Sequence, residues 1–354
     1  MGFVNANGYP LINEEHKVRI TLSVNARIKM AEDMTIFRVE KATTFINTVF
    51  DNYKNEAKAS ISLYLHQRRL ALEELFSKSE LDDYSRKAAI ECLLAEEKRT
   101  ACENAKTFKS LKGEGKLYHI NNKNVQFLTE DCEEEEYYSR PGFYIRAVVE
   151  EYCSLPFIER ERIYRKDVYE TIAHARDKNQ ILKIKVRQYD KVRNFFVYPY
   201  KILPDPLQTQ SYLTCYTKEA GSEGSGKTIA SFAMARLNPP TVLAKTFHLT
   251  KKEKDAIQEQ IEKNSPAYLL DKAEQIRIRL TENGKQIYQS RLSNRPEKIA
   301  VIDDIYVFDC TQRQIFNFFF SFGAEAEILS PESLREQFRS TLSNALGLYT
   351  DLKQ

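Results

Sequence analysis

The strongest constraint on this chain is a short strand near its start. Val18-Arg19-Ile20-Thr21-Leu22-Ser23-Val24 alternates apolar and polar side chains over seven positions, the period-two pattern of a strand with one buried face. Arg19, Thr21 and Ser23 share the polar face. A strand this short cannot bury its apolar face alone, so something must pair with it. Asn25 offers an N-cap, and a helical pattern follows through Ile28, Met30 and Met34. A second helix fits 42–54, where Phe45, Ile46, Val49, Phe50 and Tyr53 recur at helical spacing.

Two copies of the strand, paired antiparallel across a two-fold axis with their helices behind, would satisfy it. That is the ribbon-helix-helix arrangement, in which a two-stranded ribbon enters the major groove of a duplex. Lys17, Arg19, Thr21 and Ser23 are then the candidate contacts, Lys17 near phosphates and Arg19 suited to guanine edges. The plainer alternative is a strand added to another sheet.

With 354 residues, 42% hydrophobic and 29% charged, the chain has room for two or three globular domains. Residues 56–110 read as packed helices, with Leu63, Leu70, Leu72, Leu75 and Phe76 as an apolar seam and Asp82 as a cap. Gly113 and Gly115 break that pattern. Segments 117–120 and 125–128 around Asn121-Asn122-Lys123-Asn124 suggest a small hairpin. Glu130-Asp131-Cys132-Glu133-Glu134-Glu135-Glu136 reads as a solvated acidic loop. Helices are expected over 143–153 and 156–176. Short β segments follow at 181–187, 193–200, 211–217 and 228–237, the spacing of a small antiparallel barrel, and then a helix over 250–263. The last part reads as a strand at 276–280, a turn at Asn283-Gly284, strands at 285–291, 299–302 and 305–308, a helix over 311–322, a strand at 326–329 and a final helix. The expected fold class is α+β and multidomain: a ribbon-helix-helix-like head (1–55), a mainly helical connecting region (56–178), a small barrel (179–264) and an α/β tail (265–354).

Net charge is only +3, so a nucleic-acid surface must come from local clustering. Between Lys183 and Lys201 stand six basic residues, Lys183, Lys185, Arg187, Lys191, Arg193 and Lys201, against one acid, Asp190. Tyr189, Phe195, Phe196, Tyr198 and Tyr200 are interleaved with them. Basic side chains track phosphates while aromatic faces stack on bases. Strand alternation sends about half of the aromatics into a core whatever the function.

Gly221-Ser222-Glu223-Gly224-Ser225-Gly226-Lys227-Thr228 has the letters of a phosphate-binding loop, and Ile299 to Asp304 resembles the strand-plus-acid of its magnesium site. The context argues against it. Such a loop joins a buried strand directly to a helix. Here polar Thr217-Lys218-Glu219 precedes it, Asn238-Pro239-Pro240 soon follows, and no repeating βαβ pattern surrounds it. A hairpin loop explains the same letters, and Asp303-Asp304 reads as a turn. The six cysteines are scattered, with no C-x-x-C pair, and the five histidines do not cluster. No metal, cofactor or catalytic constellation is expected. No apolar run has membrane-spanning length, and the first ten residues carry no signal pattern, so a cytoplasmic protein with no membrane partner is expected.

Three strand-like stretches carry a family resemblance: Lys201-Ile202-Leu203-Pro204, Ser211-Tyr212-Leu213 and Phe232-Ala233-Met234-Ala235-Arg236-Leu237. They resemble successive strands of the WYL domain, with Ser-Tyr-Leu in place of the family's Trp-Tyr-Leu. The chain has no Trp. The segment Phe319 to Arg335 resembles the family's C-terminal extension. The resemblance covers residues 180–354. It implies a small SH3/Sm-like barrel that binds nucleic acid or nucleotide-like ligands, and a ferredoxin-like extension that helps form a homodimer. It implies that Arg193 and Arg236 hold the family's basic positions. With the expected basic strand face, the candidate set is Lys185, Arg187, Arg193, Tyr198, Tyr200 and Arg236. A ribbon-helix-helix-like head before a WYL domain is similar to the accessory proteins of type VI-D CRISPR systems. That resemblance implies a non-enzymatic protein that binds single-stranded RNA and stimulates an RNA-guided CRISPR RNase effector. The competing expectations are a dimeric, ligand-responsive repressor that binds duplex DNA through the ribbon and, more remotely, a P-loop NTPase.

Overall fold

The computed structural model describes residues 2–188, 191–205, 209–220, 226–269 and 273–350. It divides into two compact units, Met1–Lys166 and Asp167–Gln354.

In the first unit, β1 (Lys17–Ser23) runs into α1 (Val24–Phe37) and α2 (Ala42–Tyr53). A long helical pair follows, α3 (Ile61–Ser77) and α4 (Asp83–Ser110). β2 (Gly113–His119), the short α5 (Asn122–Gln126), α6 (Pro141–Ser154) and α7 (Phe157–Tyr164) complete it. The strand–helix–helix of the head is where the alternation places it, but its partner strand comes from the same chain. β1 pairs antiparallel with β2 over its whole length, from Lys17 opposite His119 to Ser23 opposite Gly113. The expected ribbon of two copies is corrected to a ribbon within one chain. The physical demand for a partner was sound, and residues 113–119 meet it.

α6 is buried along most of its length and packs beneath β1. Gly142 makes that approach possible: a Cβ there would lie 2.2 Å from the Arg19 carbonyl oxygen. α6 and α7 also carry the polar ties of this core. Arg160 donates to both oxygens of the buried Asp33, at 2.8 and 2.9 Å, and the Tyr152 hydroxyl donates to Asp33 at 2.8 Å. Such a pair is stable only because both charges keep their partners. The expected hairpin over 117–128 is replaced. Asn121 caps α5 by accepting from the Asn124 N–H, so the chain turns into a helix after β2. Glu134, expected in a solvated loop, is buried and accepts from the N–H groups of Ser62 and Leu63 at 2.9 and 3.4 Å, satisfying the start of α3.

α8 (Lys166–Asp177) opens the second unit. Then come β3 (Gln180–Gln188), β4 (Lys191–Pro204), β5 (Ser211–Glu219), β6 (Thr228–Ala233) and β7 (Thr241–Thr246). They form one antiparallel sheet in the order β6-β5-β4-β3-β7. Five antiparallel strands stand where the small barrel was expected, and among the described residues no pairing joins β6 to β7. Val168, Ile172 and Ala175 of α8 share a core with Leu182, Ile184, Phe195, Val197 and Leu213 on one face. On the other face, Ile257 and Ile261 of α9 (Lys251–Asn264) pack with Tyr198, Tyr200 and Tyr216.

The tail is built as β8 (Glu274–Leu280), α10 (Glu282–Ser290), β9 (Lys298–Ile302), β10 (Ile305–Cys310), α11 (Gln312–Phe319), β11 (Ala326–Ser330) and α12 (Glu332–Thr350). The sheet order β11-β8-β10-β9 on a βαββαβ chain is the ferredoxin-like topology. α10 stands where a turn and strand were expected. Thr281 caps it by accepting from the Gly284 N–H at 3.1 Å. Gly284 serves close packing rather than a turn, since a Cβ there would meet the Glu325 carbonyl oxygen at 2.3 Å.

Candidate nucleic-acid interface

Strand register decides which charges share a face. Lys183 lies opposite Phe196, and Phe196 lies opposite Lys218, so the three form one rung across β3, β4 and β5. Lys185, opposite Asn194, continues the same face along β3. The next rung runs Tyr198, Tyr216, Ile229 across β4, β5 and β6. Lys183 and Lys185 are exposed and Lys218 is half-buried. None of the three makes an ion pair among the described residues. Their charges are therefore uncompensated beside a half-buried phenyl ring, the combination that a sugar-phosphate backbone with unstacked bases can use.

The remaining candidates separate. Arg193 points to the opposite face. Its Nε donates to Glu219 at 2.7 Å, its Nη2 donates to the other carboxylate oxygen, and its guanidinium lies 5.3 Å from the Phe195 ring centre. This pairing holds the Glu219 carboxyl below the usual range. Arg187 lies in β3 opposite Val192, and its side chain falls outside the described residues, as do Tyr189 and Asp190 altogether. Arg236 is exposed in a 3-10 turn after β6, where a continued strand was expected. Tyr198 and Tyr200 are on the basic face, but α9 covers them. The Lys227 ammonium sits 4.6 Å over the Tyr198 ring, and that of Lys201 4.8 Å over Tyr200.

Sequence reasoning missed Lys218 and the placement of Lys227. The expected strand stops at residue 217, one residue short of Lys218. Carrying the alternation one step further would have put Lys218 beside Phe196. Gly221 to Ser225 lie outside the described residues. Lys227 approaches Glu253 at 3.6 Å, and Thr228 opens a strand opposite Thr217, with no helix behind it. The helix that a phosphate-binding loop requires is absent at this position. Asp303 and Asp304 form the turn between β9 and β10.

On the ribbon, Lys17, Arg19 and Thr21 share the outer face with His119, Leu117 and Gly115. Lys17 is 2.7 Å from Glu15. Arg19 and Thr21 reach over Gly115, where a Cβ would lie 2.8 Å from Arg19 Nε and 2.9 Å from Thr21 Oγ1. Ser23 is turned away. Its hydroxyl donates to Glu150 at 2.7 Å and accepts from the Ala26 N–H at 3.1 Å, so it is the cap of α1 rather than a contact residue. No group of three or more metal-ligating side chains occurs among the described residues. Burial pushes the thiols of Cys132, Cys153 and Cys310 up to about 12. No described helix is long and apolar enough to cross a membrane.

Comparison with known proteins bears on the whole chain and on its tail. A solved structure described as a CRISPR Cas-related protein superposes with a TM-score of 0.74 at 20% identity, covering 99% of this chain and 97% of that one. The two share a fold. Proteasome accessory factor B/C of Arthrobacter aurescens matches at a TM-score of 0.30 and 12% identity, over 98% of this chain and 52% of the other, too low to carry an argument. No curated protein matches. The WCX domain model matches residues 272–346, the segment that holds the βαββαβ tail. The chain therefore carries a WCX domain over residues 272–346, in keeping with the resemblance of Phe319 to Arg335 to the WYL family's C-terminal extension.

Proposed function

We propose that this protein is a non-enzymatic regulator that binds single-stranded RNA on the β3–β4–β5 face and acts beside an RNA-guided CRISPR RNase effector. The observation that carries the reading is the uncompensated row of Lys183, Lys185 and Lys218 around Phe196. The WCX domain and the fold shared with a CRISPR Cas-related protein support an accessory or regulatory role. The test is polarisation binding of labelled single-stranded RNA and of duplex DNA of equal length, across a salt series. Neutralising Lys183, Lys185 and Lys218 together to Ala should abolish RNA binding at physiological salt. Shallower substitutions that leave measurable binding should flatten the salt slope by about 0.7 per lysine removed. An unchanged affinity in the triple variant would sink the site.

A second reading, a repressor that binds duplex DNA, is favoured by the outer face of the ribbon, where Arg19 and Thr21 stand exposed and half-buried. Preference for duplex over single strand, lost in Arg19→Ala, would move the weight there. We place the homodimer on the tail. β9 is the edge of its sheet, and Ile299, Val301 and Ile302 are 58%, 44% and 54% exposed. A Val301→Asp variant that stays dimeric in light scattering would exclude that edge.

A further inference from the structure

α9 lies over the aromatic rung that borders the lysine row, and it is lightly held. Of its residues only Ile257 and Asn264 are buried. Its apolar side chains in the cluster are Ile257 and Ile261, which sit with Tyr198, Tyr200, Tyr216, Ile229, Phe247 and Leu249. The polar ties gather at its start, where the Tyr216 hydroxyl donates to the Glu253 carbonyl at 2.9 Å, Lys227 approaches the Glu253 carboxylate at 3.6 Å, and Thr250 and Glu253 form a reciprocal cap. Midway, Gln258 accepts from the Tyr200 hydroxyl and the Lys201 ammonium at 3.5 and 3.4 Å, both long. At its end Ser265 has φ 62° and ψ 152°, a backbone region that residues other than glycine rarely occupy and that is stored where chains switch or clamp. A helix with few buried contacts and many exposed backbone bonds belongs to the low-stability end of local opening.

We propose that α9 is a displaceable cover hinged at Ser265. Closed, it occupies the surface of Tyr198, Tyr200 and Tyr216. Open, it bares the α9-facing surface of those rings, Tyr198 keeping Phe247 edge-on and Lys227 over it, as a stacking platform continuous with Phe196 and with Lys183, Lys185 and Lys218, where the bases of single-stranded nucleic acid take the place of Ile257 and Ile261. The proposal rests on the reading that this face binds single-stranded nucleic acid. It explains why aromatic residues suited to stacking are found covered: the cover sets the fraction of molecules competent to bind, and apparent affinity scales with that fraction.

The experiment uses the full chain and a labelled oligouridine of about twelve nucleotides, a length that spans such a sheet surface. Amide hydrogen exchange is read over α9 with and without the RNA, and affinity is compared between the parent and Ile257→Ala. The expected result is faster exchange across residues 251–264 when RNA is bound, and binding roughly tenfold tighter in Ile257→Ala, because a loosened cover raises the competent fraction. If RNA binds, the lysine variant abolishes binding, and α9 exchanges unchanged or more slowly, the cover is overturned while the binding face stands. If RNA fails to bind the parent and Ile257→Ala alike, the binding face fails and the cover with it. Should Ile257→Ala unfold the sheet, exchange in the parent protein decides alone.

Discussion

Arg193 and Lys183 carry the same charge on neighbouring strands, and one step of register separates their roles. Lys183 shares a face with Phe196 and Lys218, whereas Arg193 is paired with Glu219 behind the sheet. An exposed pair of this kind adds little to stability. Arg193→Ala should therefore leave RNA affinity within about twofold of the parent and leave the fold intact, checked in the same polarisation assay. Glu134 makes the second residue-scale prediction. Burial pushes its carboxyl up to about 7, and one of its oxygens has no hydrogen-bond partner among the described residues. The ordinary value is 4.5, so the folded state holds the proton more tightly than the unfolded one between those limits. The stability this gives is complete below the unfolded value and is lost as pH rises through 7. Thermal melts of the parent should fall between pH 5 and pH 8 by an amount on the order of 2–3 kcal/mol, and Glu134→Gln should flatten that dependence.

At the scale of elements, packing against neighbours decided what local letters could not. Gly142 permits α6 to touch the backbone of β1, so Gly142→Ala should destabilise the first unit by about 1–3 kcal/mol through forced displacement of backbone, read as a lowered melting midpoint with RNA affinity retained. The head strand, the long helices and strands β3 to β5 were legible because period-two and helical spacings are local signals, whereas Gly113 and Gly115, read as breaks, open β2. The basic face was legible in composition, but sorting Lys185 from Arg193 needs the parity of each strand, which only pairing supplies. Asn283-Gly284 reads as a turn until Thr281 is seen capping a helix, and the glycine then proves to answer to Glu325, far along the chain. β7, exposed on nearly every residue, shows no alternation to find. Glu134 sits in a run of like charge, and its burial follows from the start of α3, which a linear reading cannot place beside it.

For the whole molecule, the two units answer different questions. The second holds the candidate face and the WCX domain, and its tail sheet ends on the edge strand β9, where Ile299, Val301 and Ile302 are exposed. In the first unit the ribbon closes within one chain, so its formation is unimolecular. Protection of the β1 amides against hydrogen exchange should not change over a hundredfold range of protein concentration, whereas a ribbon shared between two copies would lose protection on dilution by mass action. Closure within one chain has another consequence. A ribbon shared by identical copies must present the same residues twice, related by a two-fold axis, and its target must repeat to match. Here one strand offers Lys17, Arg19 and Thr21 and the other Gly115, Leu117 and His119. Each strand is free to change without the other, so the surface can evolve toward a lopsided target that no palindrome describes.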